Sequence, residues 1–377
     1  MQTAANDIRG AKAAMRISIL RPRIYILFMS SLPNLAYYTE ASRARMNERC
    51  TIEAVTAIWR RLLNRSSIAP NENFFTLGGN PQLATEVFRE IAKFSGRELP
   101  AVQVFQAPTI TEMVSLTNSS EHPPCPALLP IKHGTGRVAI FMAHGMGGDA
   151  TQLFDIAHHL EASNPIYATQ APGIDGISEP LCSVENMADT YIGDIRKVQQ
   201  HGPYILIGYS FGGLVMLEVA RRLRAQGEAV RLLAMLDSYP HRTHLSLKQQ
   251  VPLLTRLALR RLVSNLQSLR NATNEHSRKL PADEIRERIR AAEFVAWRNY
   301  RPAAYPGNVL FLKAEVPSYF PANPRSVWEL LVGTFELYTV PGDHSGLVER
   351  QYPTVANLLS QALNRAAKIS NVARIDR

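Results

Sequence analysis

One ten-residue stretch constrains the fold of this chain more than any other. Residues 204–213 read Tyr-Ile-Leu-Ile-Gly-Tyr-Ser-Phe-Gly-Gly, an apolar, β-prone run that ends in the pattern Gly-x-Ser-x-Gly. An amphipathic helical stretch follows at 214–224. Gly208 and Gly212 leave room for a strand and a helix to pack closely around a tight turn. The stretch therefore predicts a strand, a sharp turn that exposes the hydroxyl of Ser210, and a helix.

Apolar runs alternate with helical stretches from Gly136 to the end of the chain. The predicted strands are 137–143, 164–168, 204–209, 230–236, 308–313 and 335–340, and a final helix is predicted at about 355–365. Strands that alternate with helices form a mostly parallel sheet covered by helices. This part of the chain is therefore predicted to have an α/β fold.

A serine hydroxyl is a weak nucleophile at neutral pH and needs a general base to accept its proton. Four histidines follow Ser210 in the sequence: His241, His244, His276 and His344. The first three lie in a polar, arginine-rich segment. His344 follows a predicted strand in Pro-Gly-Asp-His, where a loop would place it over the carboxyl edge of the sheet. We interpret His344 as the base, the alternative being a surface or capping histidine.

The base in turn needs a carboxylate that orients its ring. Asp237 ends the predicted strand 230–236, and such a position in a parallel sheet lies at the edge where α/β sites form. We interpret Asp237 as this acid, with a helix cap or turn former as the alternative. Asp343 adjoins His344 in sequence and cannot easily reach its ring, so we interpret Asp343 as a turn residue.

An oxyanion that forms on the substrate needs two N–H donors. The backbone N–H of Phe211, directly after the serine, is one candidate. The loop after the first predicted strand, 144–148 (His-Gly-Met-Gly-Gly), supplies the other, with the N–H of Met146 as the choice. His144 is interpreted as a structural hydrogen-bonding residue.

Five motifs together carry a resemblance: the 204–213 stretch, Gln170-Ala171-Pro172-Gly173-x-Asp175-Gly176, Leu236-Asp237-Ser238-Tyr239, Asn299-Tyr300-Arg301-Pro302 and Gly342-Asp343-His344. They resemble the thioesterase domain that ends nonribosomal peptide and polyketide synthetases. The resemblance implies an α/β-hydrolase at 137–368 with a helical lid at about 241–299. It also implies attack of Ser210 on an acyl thioester held on a carrier's phosphopantetheine arm. The acyl-enzyme would then be released by water or by an internal amine or hydroxyl. A helical cap of no special role is the alternative to a lid.

A second resemblance lies upstream, on Phe74-Phe75-x-Leu77-Gly78-Gly79, Leu83-Ala84-Thr85, Glu98-Leu99-Pro100 and Ala107-Pro108-Thr109-Ile110. These motifs resemble a peptidyl carrier domain and predict a small all-α helical bundle at 47–118. In that family a serine after Gly-Gly-x carries the phosphopantetheine arm, and here Pro81 holds that position. A proline has no hydroxyl, so no covalently bound cofactor is predicted. The arm is expected only as part of a substrate presented by the acyl or peptidyl carrier domain of a partner synthetase.

The rest of the sequence is less specific. A basic leader is predicted at 1–46 and a Pro-rich linker at 119–136. Residues 1–70 and 241–300 each carry a net charge of +7, which indicates solvated basic faces or docking of an acidic protein. No nucleic-acid motif, membrane-length apolar run or metal-ligand spacing is present in the sequence. Three widely spaced cysteines fit a reducing compartment, so a cytoplasmic location is expected.

Three functions remain open at this point. The first is a synthetase-type thioesterase with a degenerate carrier attached. The second is a free-standing editing thioesterase that acts in trans, and the third is a non-catalytic docking module for a synthetase. The Ser210, Asp237 and His344 set favours the enzymatic alternatives. The sequence does not distinguish hydrolysis from macrocyclisation, because both use the same three residues.

Overall fold

A computed structural model describes residues 50–119, 126–248, 250–251, 253–255, 281–316 and 321–375. The chain divides into two compact units. The first holds residues 50–101 and 107–119, and the second holds residues 102–106 and the described chain from 126 onward. The predicted basic leader, 1–46, lies outside the described residues, and so does the middle of the predicted lid.

The first unit is a bundle of three helices. They are α1 (Ile52–Leu62), α2 (Pro81–Ser95) and α3 (Ile110–Asn118). A 3-10 turn at Ala101–Phe105 lies between α2 and α3 in sequence, and all of it except Ala101 belongs to the second unit. Side-chain caps begin each helix, and Thr109 forms a capping box with Glu112 at the start of α3. The core is centred on Trp59 and Phe74, whose ring centroids lie 4.9 Å apart. The predicted small helical bundle is confirmed.

The second unit is built on a seven-stranded sheet in the order β1-β3-β2-β4-β5-β6-β7. The strands are β1 (Leu128–Lys132), β2 (Ile140–Ala143), β3 (Ile166–Thr169), β4 (Tyr204–Tyr209), β5 (Val230–Leu236), β6 (Tyr305–Ala314) and β7 (Val332–Val340). All neighbours pair in parallel except β1 and β3. The predicted mostly parallel sheet is confirmed.

Strand β1 corrects the prediction that 119–136 is entirely linker. Leu128 to Lys132 pairs antiparallel with β3 at the edge of the sheet, with a register shift between Pro130 and Lys132. Proline is tolerated in an edge strand because one side of that strand lacks a ladder partner. The proline content that indicated a linker therefore does not prevent this segment from adding a strand.

The helices of the second unit are α4 (Phe154–His159), α5 (Val184–Val198), α6 (Phe211–Ala225), α7 (Pro281–Asn299), α8 (Arg325–Trp328), α9 (Gly346–Glu349) and α10 (Tyr352–Ile375). Two 3-10 turns lie at Ala150–Leu153 and Arg242–His244. Helix α10 is longer than the predicted 355–365. Its Pro353 lies in the first turn, where a missing N–H removes no helical hydrogen bond. No helix in the described ranges is long and apolar enough to cross a membrane.

One face of the sheet carries the main hydrophobic core. Phe141, Leu206 and Phe311 pack on this face against buried residues of α5 and α6, including Tyr191 and Leu214. The alternate residues of the same strands point to the opposite face. Helix α10 packs against β5 and α4. The sheet is thus buried on both sides, which leaves the ends of its strands as the places where polar side chains can meet.

Candidate active site

The predicted site residues collect at one edge of the sheet. Strands β2, β4, β5 and β7 belong to the parallel part of the sheet, so their carboxyl ends share an edge. His144 follows β2, Ser210 follows β4 and Asp237 follows β5, while His344 comes four residues after β7. Open α/β sheets bind their ligands at this edge.

The turn at Ser210 is strained and tightly packed. Its φ of 54° and ψ of −119° are rare for a residue with a side chain, and its N–H donates to the Leu236 carbonyl at 2.8 Å. A Cβ atom on Gly208 would lie 2.5 Å from the Gly213 nitrogen, and one on Gly212 would lie 2.6 Å from the Ala143 carbonyl oxygen. Both glycines of Gly-x-Ser-x-Gly are therefore required by close backbone approach.

Three predicted residues form one hydrogen-bonded chain. His344 Nε2 lies 2.8 Å from Ser210 Oγ, and His344 Nδ1 lies 2.8 Å from Asp237 Oδ2. The imidazole therefore bridges the serine and the carboxylate through its two nitrogens. Asp237 is 4% exposed, whereas Ser210 and His344 are only partly buried. The carboxylate is shielded from water, while the imidazole and the serine keep part of their exposure.

The backbone holds Asp237 in place from both sides. Its N–H donates to the Leu312 carbonyl at 2.8 Å, and its Oδ1 accepts from the Ala314 N–H at 3.2 Å. Its φ of 47° turns the chain away from the sheet. Asp343 instead accepts from the Gly346 N–H at 2.9 Å and from Arg350 at 2.7 Å. Of the two aspartates considered from the sequence, Asp237 is the one that contacts the imidazole of His344.

Tyr209 supports His344 in a way that sequence reasoning missed. Its ring stacks on the imidazole at 5.1 Å between centroids with 23° between the planes. Its hydroxyl donates to the His344 carbonyl at 3.1 Å. The sequence signal that could have identified Tyr209 was its position directly before Ser210 in the Gly-x-Ser-x-Gly pattern. Tyr209 thereby ties the loop after β7 to the turn after β4.

The two predicted oxyanion donors lie in adjacent parts of this edge. Phe211 is the first residue of α6, so its N–H has no acceptor within the helix. Met146 lies in the loop after β2, and no acceptor for its N–H is found in the described parts of the chain. A Cβ atom on Gly145 would lie 2.8 Å from the Tyr209 ring, and one on Gly212 would overlap the His144 carbonyl oxygen. The loop therefore packs directly against the turn at Ser210.

His144 is buried, and its two ring nitrogens face partners other than Ser210. It is 1% exposed, its Nδ1 lies 2.8 Å from the Gly145 carbonyl, and its Nε2 lies 2.8 Å from the Tyr191 hydroxyl. Burial lowers the pKa of His144, which keeps the imidazole neutral. These contacts fit the structural role predicted for it. Sequence reasoning did not identify its partner Tyr191.

The C-terminal end of the predicted lid segment and the residues that follow it also contact this region. In the Asn-Tyr-Arg-Pro motif that follows α7, the Tyr300 hydroxyl donates to Glu218 on α6 at 3.1 Å. Arg221 and Arg222 also donate to this buried carboxylate, and together the three groups keep its pKa low despite burial. Trp297 donates to the Tyr239 carbonyl at 2.9 Å. The end of α7 is thus fixed to the core next to the site.

The start of α2 is the place where the resemblance of the first unit implies a phosphopantetheine arm. Asn80 caps α2 by accepting from the Leu83 N–H at 2.8 Å, and Pro81 is the first helical residue. No hydroxyl side chain occurs between residues 78 and 84. The nearest candidates, Thr76 and Thr85, donate to backbone carbonyls at 2.8 and 3.0 Å. The residues at the start of α2 therefore do not fit a phosphodiester-linked arm.

Across the described ranges, no group of three or more His, Cys, Asp or Glu side chains is arranged to hold a metal ion.

The sheet order, the turn at Ser210 and the helices on both faces define an α/β-hydrolase. The chain belongs to the thioesterase domain family, whose model matches residues 138–363, more than half of the chain. The family model described as a phosphopantetheine attachment site matches residues 53–116, within the three-helix bundle. A thioesterase domain with a carrier-type domain upstream is therefore shown.

Two relatives with similar sequences are synthetases of Mortierella alpina. Malpinin synthetase of Mortierella alpina is 35% identical over 212 residues, which cover 55% of this chain and 3% of the synthetase. Malpibaldin synthetase of the same organism is 30% identical over 306 residues, 76% of this chain and 5% of the synthetase. The chain thus spans only a small part of the length of the curated relatives it matches.

A solved structure shows a similar fold. The crystal structure of holo-AB3403, a four-domain nonribosomal peptide synthetase bound to AMP and glycine, aligns with a TM-score of 0.55 at 22% identity. The alignment covers 84% of this chain and 26% of that protein.

Proposed function

We propose that this chain is a serine thioesterase that removes an acyl or peptidyl chain from a carrier domain of a peptide synthetase. The observation that carries the proposal is the hydrogen-bonded chain from Asp237 through His344 to Ser210 at the carboxyl edge of the sheet. This arrangement is the one that serine hydrolases use to activate a hydroxyl. Membership in the thioesterase domain family supports a thioester as the substrate class.

The chemistry follows from the geometry of the three side chains. His344 Nε2 accepts the Ser210 proton while Oγ attacks the thioester carbonyl. Asp237 fixes the ring with Nδ1 protonated and stabilises the imidazolium that forms. The N–H groups of Phe211 and Met146 donate to the oxyanion, and one such donor typically contributes about 3 kcal/mol to transition-state stabilisation.

Collapse of the tetrahedral intermediate breaks the bond from carbon to sulfur, and His344 gives its proton to the departing sulfur. The acyl group is then an ester on Ser210. In the second half, His344 takes a proton from water, or from an amine or hydroxyl of the acyl chain itself, which attacks the ester carbonyl. The proton returns to Ser210 Oγ as the product leaves. Hydrolysis and macrocyclisation differ only in this second nucleophile.

The carrier that delivers the substrate is a carrier other than residues 53–116. With Pro81 at the start of α2, this bundle has no hydroxyl at the attachment position. The same observation favours a second candidate function, editing of misloaded carriers in trans, because an editing enzyme receives its substrates from carriers elsewhere. The synthetase relatives support a partner of that type.

The release experiment uses a separately expressed carrier domain loaded with an acyl group. After incubation with catalytic amounts of the chain, mass spectrometry of the carrier should show loss of the acyl group and retention of the arm, over many turnovers. If the carrier stays acylated while a fluorophosphonate still labels Ser210, the protein is a serine hydrolase of another class and the thioesterase proposal is wrong.

Arm transfer to the bundle itself is tested with coenzyme A and a promiscuous phosphopantetheinyl transferase. The parent protein should gain no mass, because residues 78–84 offer no hydroxyl. Pro81→Ser restores one at the first position of α2, where Asn80 still caps the helix. This variant should gain one arm. An arm on the parent protein, mapped to any residue of the bundle, would contradict the proposed delivery by another carrier.

A further inference from the structure

Helix α7 lies along the loop that carries Met146. Its residues at positions i, i+3, i+4 and i+7 all face residues 147–149 of this loop, as expected for one helix face. Arg286 pairs with Asp149 at 3.1 Å. The remaining three members of this face are Ile289, beside Gly148, and Arg290 and Glu293, beside Gly147.

The contact at Glu293 is the deepest and shortest of these. The Gly147 N–H donates to Glu293 Oε2 at 2.5 Å, and Glu293 is 1% exposed. Helix α7 forms the C-terminal part of the predicted lid segment, and its Glu293 lies 146 residues after Gly147 in the sequence. The buried Glu293 carboxyl on α7 thus accepts a hydrogen bond from the backbone next to Met146.

Within residues 145–148, the loop is only weakly stabilised by its own backbone hydrogen bonds. Gly147 and Gly148 both have positive φ, at 107° and 78°, so the chain here forms neither helix nor strand. The bond across the loop, from the Gly148 N–H to the Gly145 carbonyl, is long at 3.4 Å. The short bond to Glu293 therefore has a large share in fixing the peptide orientation at residues 146–147.

Glu293 lies among other buried polar groups, and its burial disfavours the charged form of the carboxyl. Burial raises the pKa of Glu293 to about 8, against the opposing effects of the Gly147 N–H and Arg290. His144 Nδ1 lies 3.7 Å from Oε1, an oxygen for which the described residues supply no hydrogen-bond partner. Burial also lowers the pKa of His144 and raises that of Tyr191. His144 and Glu293 thus face each other in a place where burial disfavours the charged form of both groups.

We propose that Glu293 is a positioning residue for the oxyanion hole: by accepting the Gly147 N–H, it holds the Met146 N–H toward the substrate carbonyl attached at Ser210. This inference rests on the proposed function. It ties the oxyanion loop to α7, so displacement of α7 would weaken transition-state stabilisation.

The test compares Glu293→Met, which has a similar volume but no carboxyl acceptor, with Glu293→Gln, whose amide oxygen still accepts the Gly147 N–H. The control is Glu284→Ala, an exposed change on the same helix. The rate of phosphonylation of Ser210 by a fluorophosphonate is the readout, since its phosphoryl oxygen occupies the oxyanion hole. We expect about a 100-fold loss for Glu293→Met, the size of effect of losing one oxyanion donor. Glu293→Gln and Glu284→Ala should stay within about threefold of the parent, since they leave that donor in place.

Binding in the ground state separates positioning from general damage. An acyl-pantetheine thioester should bind Ser210→Ala and Ser210→Ala/Glu293→Met with the same Kd, because no oxyanion forms. Phosphonylation of Glu293→Met at the parent rate would overturn the proposal and leave the proposed function intact. So would a Glu293→Gln protein that folds but reacts 100-fold slower. Absence of labelling in the parent would instead contradict the proposed function.

Discussion

Ser210→Ala should remove essentially all release of an acyl group from a carrier thioester. The hydroxyl that His344 Nε2 approaches at 2.8 Å is then absent, and no acyl-enzyme can form. In serine hydrolases such a loss lowers kcat by roughly 10⁶-fold, and what remains comes from the oxyanion hole and binding alone. The measurement is the release rate from an acyl-loaded carrier, followed by mass.

Ser326→Ala is the matched control for this change. Ser326 is exposed at the start of α8, where its hydroxyl donates to the Asn323 carbonyl. The control should keep the parent rate. Both proteins should unfold at similar temperatures, because the Ser210 side chain caps no helix. A Ser210→Ala protein with more than a hundredth of the parent rate would show that another group carries the acyl chain.

Asp237→Asn should lower kcat by about 10⁴-fold at neutral pH while leaving the fold intact. The asparagine oxygen can still accept from the Ala314 N–H, so the local backbone keeps its partner. Its NH₂ group, however, would donate to His344 Nδ1. That contact places the imidazole proton on Nε2, the nitrogen that must accept from Ser210. KM should change little, because Asp237 is buried and does not face the substrate.

Asp343→Asn is the matched control for the acid. It lies next to His344, but its carboxylate is engaged by the Gly346 N–H and by Arg350. Loss of the negative charge of Asp343 should change kcat by no more than a few fold. The assignment of the acid would be reversed if Asp343→Asn were inactive and Asp237→Asn retained a tenth or more of the parent kcat.

The strands and the turn at Ser210 could be predicted because their signals are local. An apolar run followed by Gly-x-Ser-x-Gly defines the strand and turn, and β5 spans the predicted residues 230–236. The predicted proximity of Asp237 and His344 to Ser210 followed from one topological rule, since residues that end parallel strands share an edge. The distances of 2.8 Å in the structure agree with that expectation.

The contacts made by distant partners could not be predicted in the same way. Glu293 reaches Gly147 across 146 residues, and its position on a charged helix indicates a solvated side chain rather than a buried one. Tyr191 on α5 bonds His144 across 47 residues, and no short motif joins them. Strand β1 was missed because proline in an edge strand and proline in a linker look alike in sequence.

The most direct test of the account is rapid quenching of the protein with an acyl-loaded carrier, followed by peptide mapping. A transient acyl adduct should form on the peptide that contains Ser210 as the carrier loses the same group. The adduct should be absent from Ser210→Ala and should decay to free product in the parent. Release of the acyl group with no adduct on Ser210, or with an adduct on another residue, would contradict the account.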